Sequence, residues 1–320
     1  MGMKHWLAAA LLLLFAASVR AQGYPAQPVK LIVPWPPGGG VDTSARIISQ
    51  PLSERLGQSV VIENRGGAGG TIGTEIAARA KPDGYTLLMG SSSPNAINIH
   101  IYPRLGFEPL KDFTPIVYVT AVPNVLVVPG NSQAASALDL IAYAKANPGK
   151  VNYGSAGVGS SQHLAAAMLI AATGINIVHV PYKGTGPAET DLIAGHISMM
   201  LDTTACLPFV AAGRMKALAV ASKARNPALP NVPTFDEIGV PGVYSSAWYG
   251  IMAPAGVSPE VVNRINAEVN AILKTPEMRK RLADFGGEAG GGSPDDFTRF
   301  IGSEIARYAD IVKASGAKVE

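Results

Sequence analysis

Five times along the chain, a loop rich in glycine or serine opens onto a helical pattern. The loops are PWPPGGGVDT, GGAGGTIG, GSSSPN, GSAGVGSSQH and PYKGTGPAE, and most of them follow an apolar segment. This recurrence limits the fold more than any other feature. Strands that alternate with helices build mostly parallel sheets covered on both faces, with such loops along the carboxyl edge. Each loop brings to that edge the unpaired N–H groups and the positive dipole end of the helix it starts. Open α/β sheets bind their ligands there. Glycine lets an anion approach the backbone, and serine or threonine adds neutral donors. One such glycine need only make a turn; five loops together read as an anion site.

The segments can be placed in order. Strands are expected at Val29 to Pro34, Ser59 to Glu63 and Tyr85 to Met89, with helices at Thr43 to Leu56 and Thr71 to Ala80. Ala45, Ile48, Leu52 and Leu56 share one face of the first helix. Pro51 inside it predicts a kink or a break. Val117 to Val128 is too long for one central strand and contains Pro123, which suits a strand crossing between two lobes. Beyond it, helices at Ala137 to Ala146, Gln162 to Ala172 and Ala188 to Ala194 alternate with strands at Val151 to Tyr153, Asn176 to Val180, Ile197 to Leu201 and Leu218 to Ala221. Trp248 to Ala253 reads as the return crossing. Helices then follow at Pro259 to Leu273, Pro276 to Phe285 and Pro294 to Ala314, capped by Ser258, Thr275 and Ser293. The expected division is residues 22–122 for the first lobe, 123–247 for the second, and 248–320 for the return to the first.

With 320 residues and 48% apolar content the chain can bury a core in each of two lobes. Residues 1–21 have a basic start (Lys4, His5), an apolar run from Trp6 to Ala17 and the small-residue pattern Val19-Arg20-Ala21. They read as a cleaved secretory signal, with the mature chain starting at Gln22 and exported to a periplasm. Cys206 is the only cysteine, so an intrachain disulfide is excluded, and its apolar setting ACLPFV suits a buried thiol. A formal net charge of +3, reduced further once Lys4 and Arg20 leave with the signal, gives no support for nucleic-acid binding.

Several chemistries can be tested against the same residues. The dinucleotide glycine spacing fails at Ile72 and at Gln162, and Lys183-Gly184-Thr185 reverses the order a phosphate-binding P-loop needs. A hydrolase would have to use Ser161, His163 and Asp202, but there is no nucleophile elbow, and residues two apart point to different helix faces. His163 reads either as a ligand contact or as a helix-start residue binding a backbone carbonyl. Asp42 reads either as a helix cap or as an acid facing the site. His100, His163, His179 and His196 share no ligand spacing, so neither a metal nor a cofactor is expected. Glu189 and Asp191 read as a solvated helix face. Tyr244, Trp248 and Tyr249 line a cleft or fill a core.

PWPPGGGVDTSAR, VVIENRGGAGGTIG, KPDGYTLL, YGSAGVGSSQHLA, HVPYKGTGPAETDLIAGHI and LDTT together resemble the receptors of tripartite tricarboxylate transporters, the TctC-like or Bug family. The resemblance covers the chain in order from Gln22. It implies a type II periplasmic binding protein fold: an α/β architecture of two lobes, each a mostly parallel sheet flanked by helices, joined by crossing strands. It implies binding of a small carboxylate (a di- or tricarboxylate, or an aromatic or amino-acid carboxylate) through amides, hydroxyls and ordered water, without catalysis, for the transporter's membrane components; a monomer is expected. A sensing module for a two-component system would use the same cleft. Carried over by motif, the first lobe supplies Trp35, Pro37, Gly38, Gly39, Gly40 and Asp42, with Ser91, Ser92 and Asn95. The second supplies Ser155, Ala156, Gly157, Gly159, Ser160, Ser161 and His163, with Tyr182, Lys183, Thr185 and Asp202. The chain departs from the family pattern at Ala167, Pro51 and Gly66.

Overall fold

The computed structural model describes residues 23–315 and Ala317. The signal expected over residues 1–21 and the mature start at Gln22 lie outside them. Strand β1 (Val29–Val33) buries every residue but Lys30, which pairs with Glu63 at 2.7 Å on strand β2 (Val60–Asn64). Between these strands runs helix α1 (Gly40–Leu56), and helix α2 (Thr71–Ala78) leads from β2 to β3 (Thr86–Ser91). A short π-helical turn, Ser93–Ile97, follows β3 directly. Pro51 does not break α1. Pro51 and Ile47 are both only partly buried, so the carbonyl that proline leaves without a donor is not sealed in the core.

The long β-rich stretch is two strands, β4 (Phe113–Pro123) in the first lobe and β5 (Val125–Pro129) in the second, with Asn124 between them. The second lobe continues through α3 (Ala137–Ala146), β6 (Asn152–Ser155), α4 (Ser161–Thr173) and β7 (Val178–Pro181). It closes with α5 (Thr185–Ala194), β8 (Met199–Asp202), the short α6 (Leu207–Ala211) and β9 (Met215–Val220). Strand β10 (Ser246–Pro254) returns to the first lobe, followed by α7 (Pro259–Leu273), α8 (Pro276–Asp284) and α9 (Pro294–Ser315). Ser258 and Thr275 cap α7 and α8 through the amides of Val261 and Met278, and Ser293 accepts from the Asp296 amide at the start of α9.

The sheet orders are β2-β1-β3-β10-β4 and β7-β6-β8-β5-β9, one pattern used twice. In each sheet four of the five strands run the same way, as expected, and a single reversed strand makes the sheet mixed. In each, the fourth strand, β10 or β5, runs antiparallel to both neighbours. The reason is geometric. A strand leaving one lobe at its carboxyl edge enters the facing lobe at that lobe's carboxyl edge, so it must run against the parallel set. Successive residues of each strand go to opposite faces, and both faces are covered. Leu31, Val33 and Ile251 pack with Ile48, Leu52 and Ile265, while Ile32, Leu88 and Trp248 pack with Phe297 and Ile301. The second lobe divides in the same way between Leu126 and Leu201 on one side and Val127 and Met200 on the other.

The two crossings are tied to each other. Asn124 is fully buried; its amide donates to the Ser245 carbonyl at 2.9 Å, its Nδ2 to the Leu201 carbonyl at 2.9 Å, and its Oδ1 accepts from Ser245 Oγ at 2.8 Å. Helix α9 packs on β4 and also reaches α4 of the other lobe.

Candidate ligand-binding site

Because the chain crosses at both carboxyl edges, those edges face each other, and the glycine loops of the two lobes meet. A methyl group on Gly39 would come within 3.3 Å of Thr185 Oγ1, and one on Gly184 within 3.0 Å of Pro36 Cγ. Between the lobes lies a cavity of about 40 Å³. Loops of both lobes approach each other around it, so the two lobes wall one space.

Two helix starts from opposite lobes form its walls. Gly39 is the N-cap of α1, and the amides of Gly39, Gly40 and Val41 have no protein acceptor among the described residues. Ser160 is the N-cap of α4, its Oγ accepting from the His163 amide at 3.2 Å, and Ser161 and Gln162 begin the helix beside the cavity. The positive ends of both dipoles thus converge on one space.

Three hydroxyl groups of the wall share a polarity. Ser91 Oγ accepts from Trp35 Nε1 at 3.4 Å, Ser160 Oγ from the His163 amide, and Thr185 Oγ1 from Gln162 Nε2 at 3.3 Å. A hydroxyl whose oxygen is already engaged by an N–H keeps its own proton to donate. The three therefore present donors, and no ionised side chain lines the cavity. Donors with no cation suit a carboxylate that must also be released.

Of the residues singled out from sequence, Trp35, Gly39, Gly40, Ser91, Ser92, Ala156, Ser160, Ser161 and Thr185 line the cavity. The others do not. Pro37, Gly38 and Lys183 are exposed. Gly38 spends its amide on Asp42 Oδ2 at 3.0 Å. Asp42 is not the helix cap: Gly39 holds that place, and Asp42, three residues on, reaches back to Gly38 while bonding Arg46 and Asn64 Nδ2. Burial raises its pKa, but these partners outweigh it and hold the carboxyl below the usual range. Asn95 Oδ1 accepts from the Ser91 amide at 3.1 Å and shapes the turn after β3. Tyr182 donates to Asp191 at 2.6 Å on the surface of the lobe.

Ser155, Gly157, Gly159 and His163 form the back of the second-lobe loop. Ser155 Oγ lies 2.7 Å from His179 Nε2 and accepts from the Gly157 amide at 3.1 Å. The Gly159 amide donates to His163 Nδ1 at 3.4 Å. His163 thus binds an amide rather than a carbonyl, because α4 begins with its N–H groups at that end. Its ring stacks on His179 at 4.3 Å, and His179 on Tyr153 at 4.7 Å. Burial pushes both histidines down to about 4, with His163 adding to the effect on His179. No Ser161–His163 hydrogen bond forms, and Asp202 Oδ1 is taken by Gln162 Nε2 at 2.6 Å and by the Thr203 amide at 2.7 Å. Among the described residues no cluster of three or more His, Cys, Asp or Glu side chains is placed to hold a metal.

The cavity also uses Pro36, Val41, Ser93, Gln162, Thr203 and Ala247, which were not among the site residues named from sequence, and Tyr249, which was expected in a cleft or a core. Ser93, Gln162 and Thr203 sit within motifs already noted, one position from residues that were chosen. The aromatic cluster splits. Tyr249 reaches the cavity beside a register shift between Tyr249 and Gly250, while Trp248 is buried in the core and Tyr244 bonds Asp236. A methyl on Gly40 would lie 2.3 Å from the Tyr249 hydroxyl, so only glycine fits the first turn of α1. The solvated face expected for Glu189 and Asp191 holds for Asp191 alone. Glu189 is 4% exposed, because residues two apart point in different directions and it shares the inner face with Ala188 and Leu192.

The sequence pattern described as "Tripartite tricarboxylate transporter family receptor" matches residues 44–317. The chain belongs to that family. Among its fellow members, Protein BugT of Bordetella pertussis is 39% identical to this receptor over 307 residues, 95% of this chain and 94% of BugT. An R. palustris protein solved with adipate superposes with a TM-score of 0.90 at 38% identity, covering 92% of this receptor and all of that chain. MatC from Rhodopseudomonas palustris, solved with bound malate, gives a TM-score of 0.86 at 33% identity, covering 90% and 100%. The fold is that of a two-lobed periplasmic binding protein.

Proposed function

We propose that this receptor captures a small dicarboxylate in the periplasm and hands it to the membrane components of a tripartite tricarboxylate transporter. The observation that carries the reading is the cavity wall: two helix starts from opposite lobes and three donor-poised hydroxyls, with no charged side chain. One carboxylate rests on the amides of Gly39 to Val41, and the other on Ser160 and Ser161. Each half-site belongs to a different lobe, so the ligand binds both only when the cleft closes and thereby shifts the open–closed balance. The similar proteins solved with adipate and with malate support the ligand class.

Calorimetry with adipate and malate tests it, using Ser160→Asp as the critical variant. Aspartate caps a helix as well as serine does, so the variant stays folded but sets an anion against the ligand. Binding of at least one acid by the wild type and its loss in the variant are expected. Equal binding by both would overturn the site.

A further inference from the structure

Behind the second-lobe wall of the cavity two acidic side chains, Glu189 on α5 and Asp202 at the end of β8, lie buried in contact. Asp202 is fully buried, and its Oδ1 takes two donors, Gln162 Nε2 and the Thr203 amide. Its Oδ2 and Oε1 of Glu189 are sealed from solvent with no N–H or O–H donor on either. No cation is placed against either carboxyl among the described residues. Two carboxyl groups in contact, each with a buried oxygen left without a donor, are both satisfied by one proton held between them.

We propose that Glu189 is a positioning residue, which keeps its proton at neutral pH and donates it to Asp202 Oδ2, fixing Asp202 as the anchor for Gln162 and Thr203. The consequence reaches the cavity in one step. Gln162, held at Nε2 by Asp202, accepts the Ala156 amide on Oε1 at 2.5 Å and donates to Thr185 Oγ1. Ala156, Gln162, Thr185 and Thr203 are all wall residues, so the shared proton sets which way this wall presents its donors. It also limits the charge behind an anion site to one rather than two. Burial pushes both carboxyls upward, Glu189 further because the Asp202 charge adds to it.

Helix α5 packs against β5, β6 and β8. Of the titratable groups on those strands, Asp202 faces Glu189, whereas Tyr153 of β6 belongs to the opposite face of the sheet. The Cys206 thiol and the Tyr249 phenol are the remaining neighbours, and the Asp202 charge helps keep both protonated. The folded protein thus holds a proton at Glu189 that the unfolded chain releases. Its contribution to stability is complete in acid, declines once pH passes the ordinary carboxylate value, and is gone above the raised folded value.

The test is thermal and denaturant unfolding of the ligand-free protein from pH 6 to about pH 9, wild type against Glu189→Gln, where the amide supplies the donor without titrating. In the wild type this group raises the unfolding constant by up to about tenfold per pH unit; the variant is expected to lose that slope. The infrared band of a protonated carboxylic acid should be present in the wild type at pH 7 and absent from the variant. Equal slopes, or no such band in the wild type, would overturn the proposal. The second arm, which rests on the carboxylate reading above, measures adipate and malate affinity. Glu189→Gln should match the wild type at pH 7, and Glu189→Ala should bind about tenfold more weakly. Should neither acid bind the wild type, the ligand class fails, while the ligand-free slope still decides the proton.

Discussion

Replacing Gly159 with alanine separates closure of the lobes from the chemistry of the cavity. Gly159 does not line the cavity, but it lies on the seam where the second-lobe loop meets Asn98 of the first lobe. A methyl there would lie 2.2 Å from Asn98 Oδ1, where ordinary contact begins at 3.4 Å. Asn98 cannot swing aside freely, because it is fully buried and its Nδ2 holds the Gly69 carbonyl at 2.9 Å. Two costs follow. Alanine at φ +82° carries about 1–2 kcal/mol in both open and closed forms. The clash exists only when the lobes are closed, and overpacking of this kind costs about 1–3 kcal/mol. The competent fraction falls accordingly, and apparent affinity weakens by about 5- to 150-fold. Gly174→Ala is the control: φ is +69°, in the same lobe, with nothing within 4 Å of the added methyl. Calorimetry with adipate or malate reads the affinity, and small-angle scattering reads the closed fraction. If Gly159→Ala and Gly174→Ala bind alike and close alike, the seam does not control closure.

Further outcomes follow from the same geometry. His163 and His179 have pKa values lowered to about 4, so the unfolded chain gains protons first on acidification. The stability they contribute is present above the ordinary histidine value and is lost as pH falls toward about 4, about 1–3 kcal/mol for the pair after allowance for partial exposure. His163→Asn, which cannot titrate, should give a shallower acid limb in thermal unfolding against pH, and an unchanged limb would refute the assignment. Asn124→Ala strands the Ser245 hydroxyl and the Leu201 carbonyl at the crossing, and should cost about 2–4 kcal/mol in urea unfolding. Asp42→Ala removes partners of Gly38, Arg46 and Asn64 without touching the cavity wall. Loss of about 1–3 kcal/mol in stability is expected, with affinity for adipate within about threefold; a large affinity loss at full stability would place Asp42 in the site.

Much of the local structure was legible. Helix α3 and helix α7 begin and end where periodicity and Ser258 placed them, and Pro123 marked the end of β4. The glycine loops identified both helix starts that wall the cavity. What escaped was direction. Asp42, Asn95, Ser155 and His163 occur in the right loops but turn inward to hold those loops in shape. Gln162 turns toward the cavity although nothing in its neighbourhood sets it apart, and the choice between cleft and core for Tyr249 and Trp248 is made by the alternation of β10. Position along a loop is a one-dimensional property, whereas the face presented to a ligand depends on the N-cap and on the packing behind it.

The sequence by itself determined the alternation of strand, anion-ready loop and helix, because backbone propensity, glycine and capping residues act within a few positions of one another. Its single cysteine also determined that no intrachain disulfide forms. Only the tertiary structure decided that loops some 120 residues apart, at Gly39 and at Ser160, confront each other across a cavity. The cause is that β4 continues as β5 and β10 returns, which turns the carboxyl edge of one lobe toward that of the other. The buried meeting of Glu189 with Asp202 belongs to the same class, since burial and a missing donor are properties of packing that no local pattern encodes.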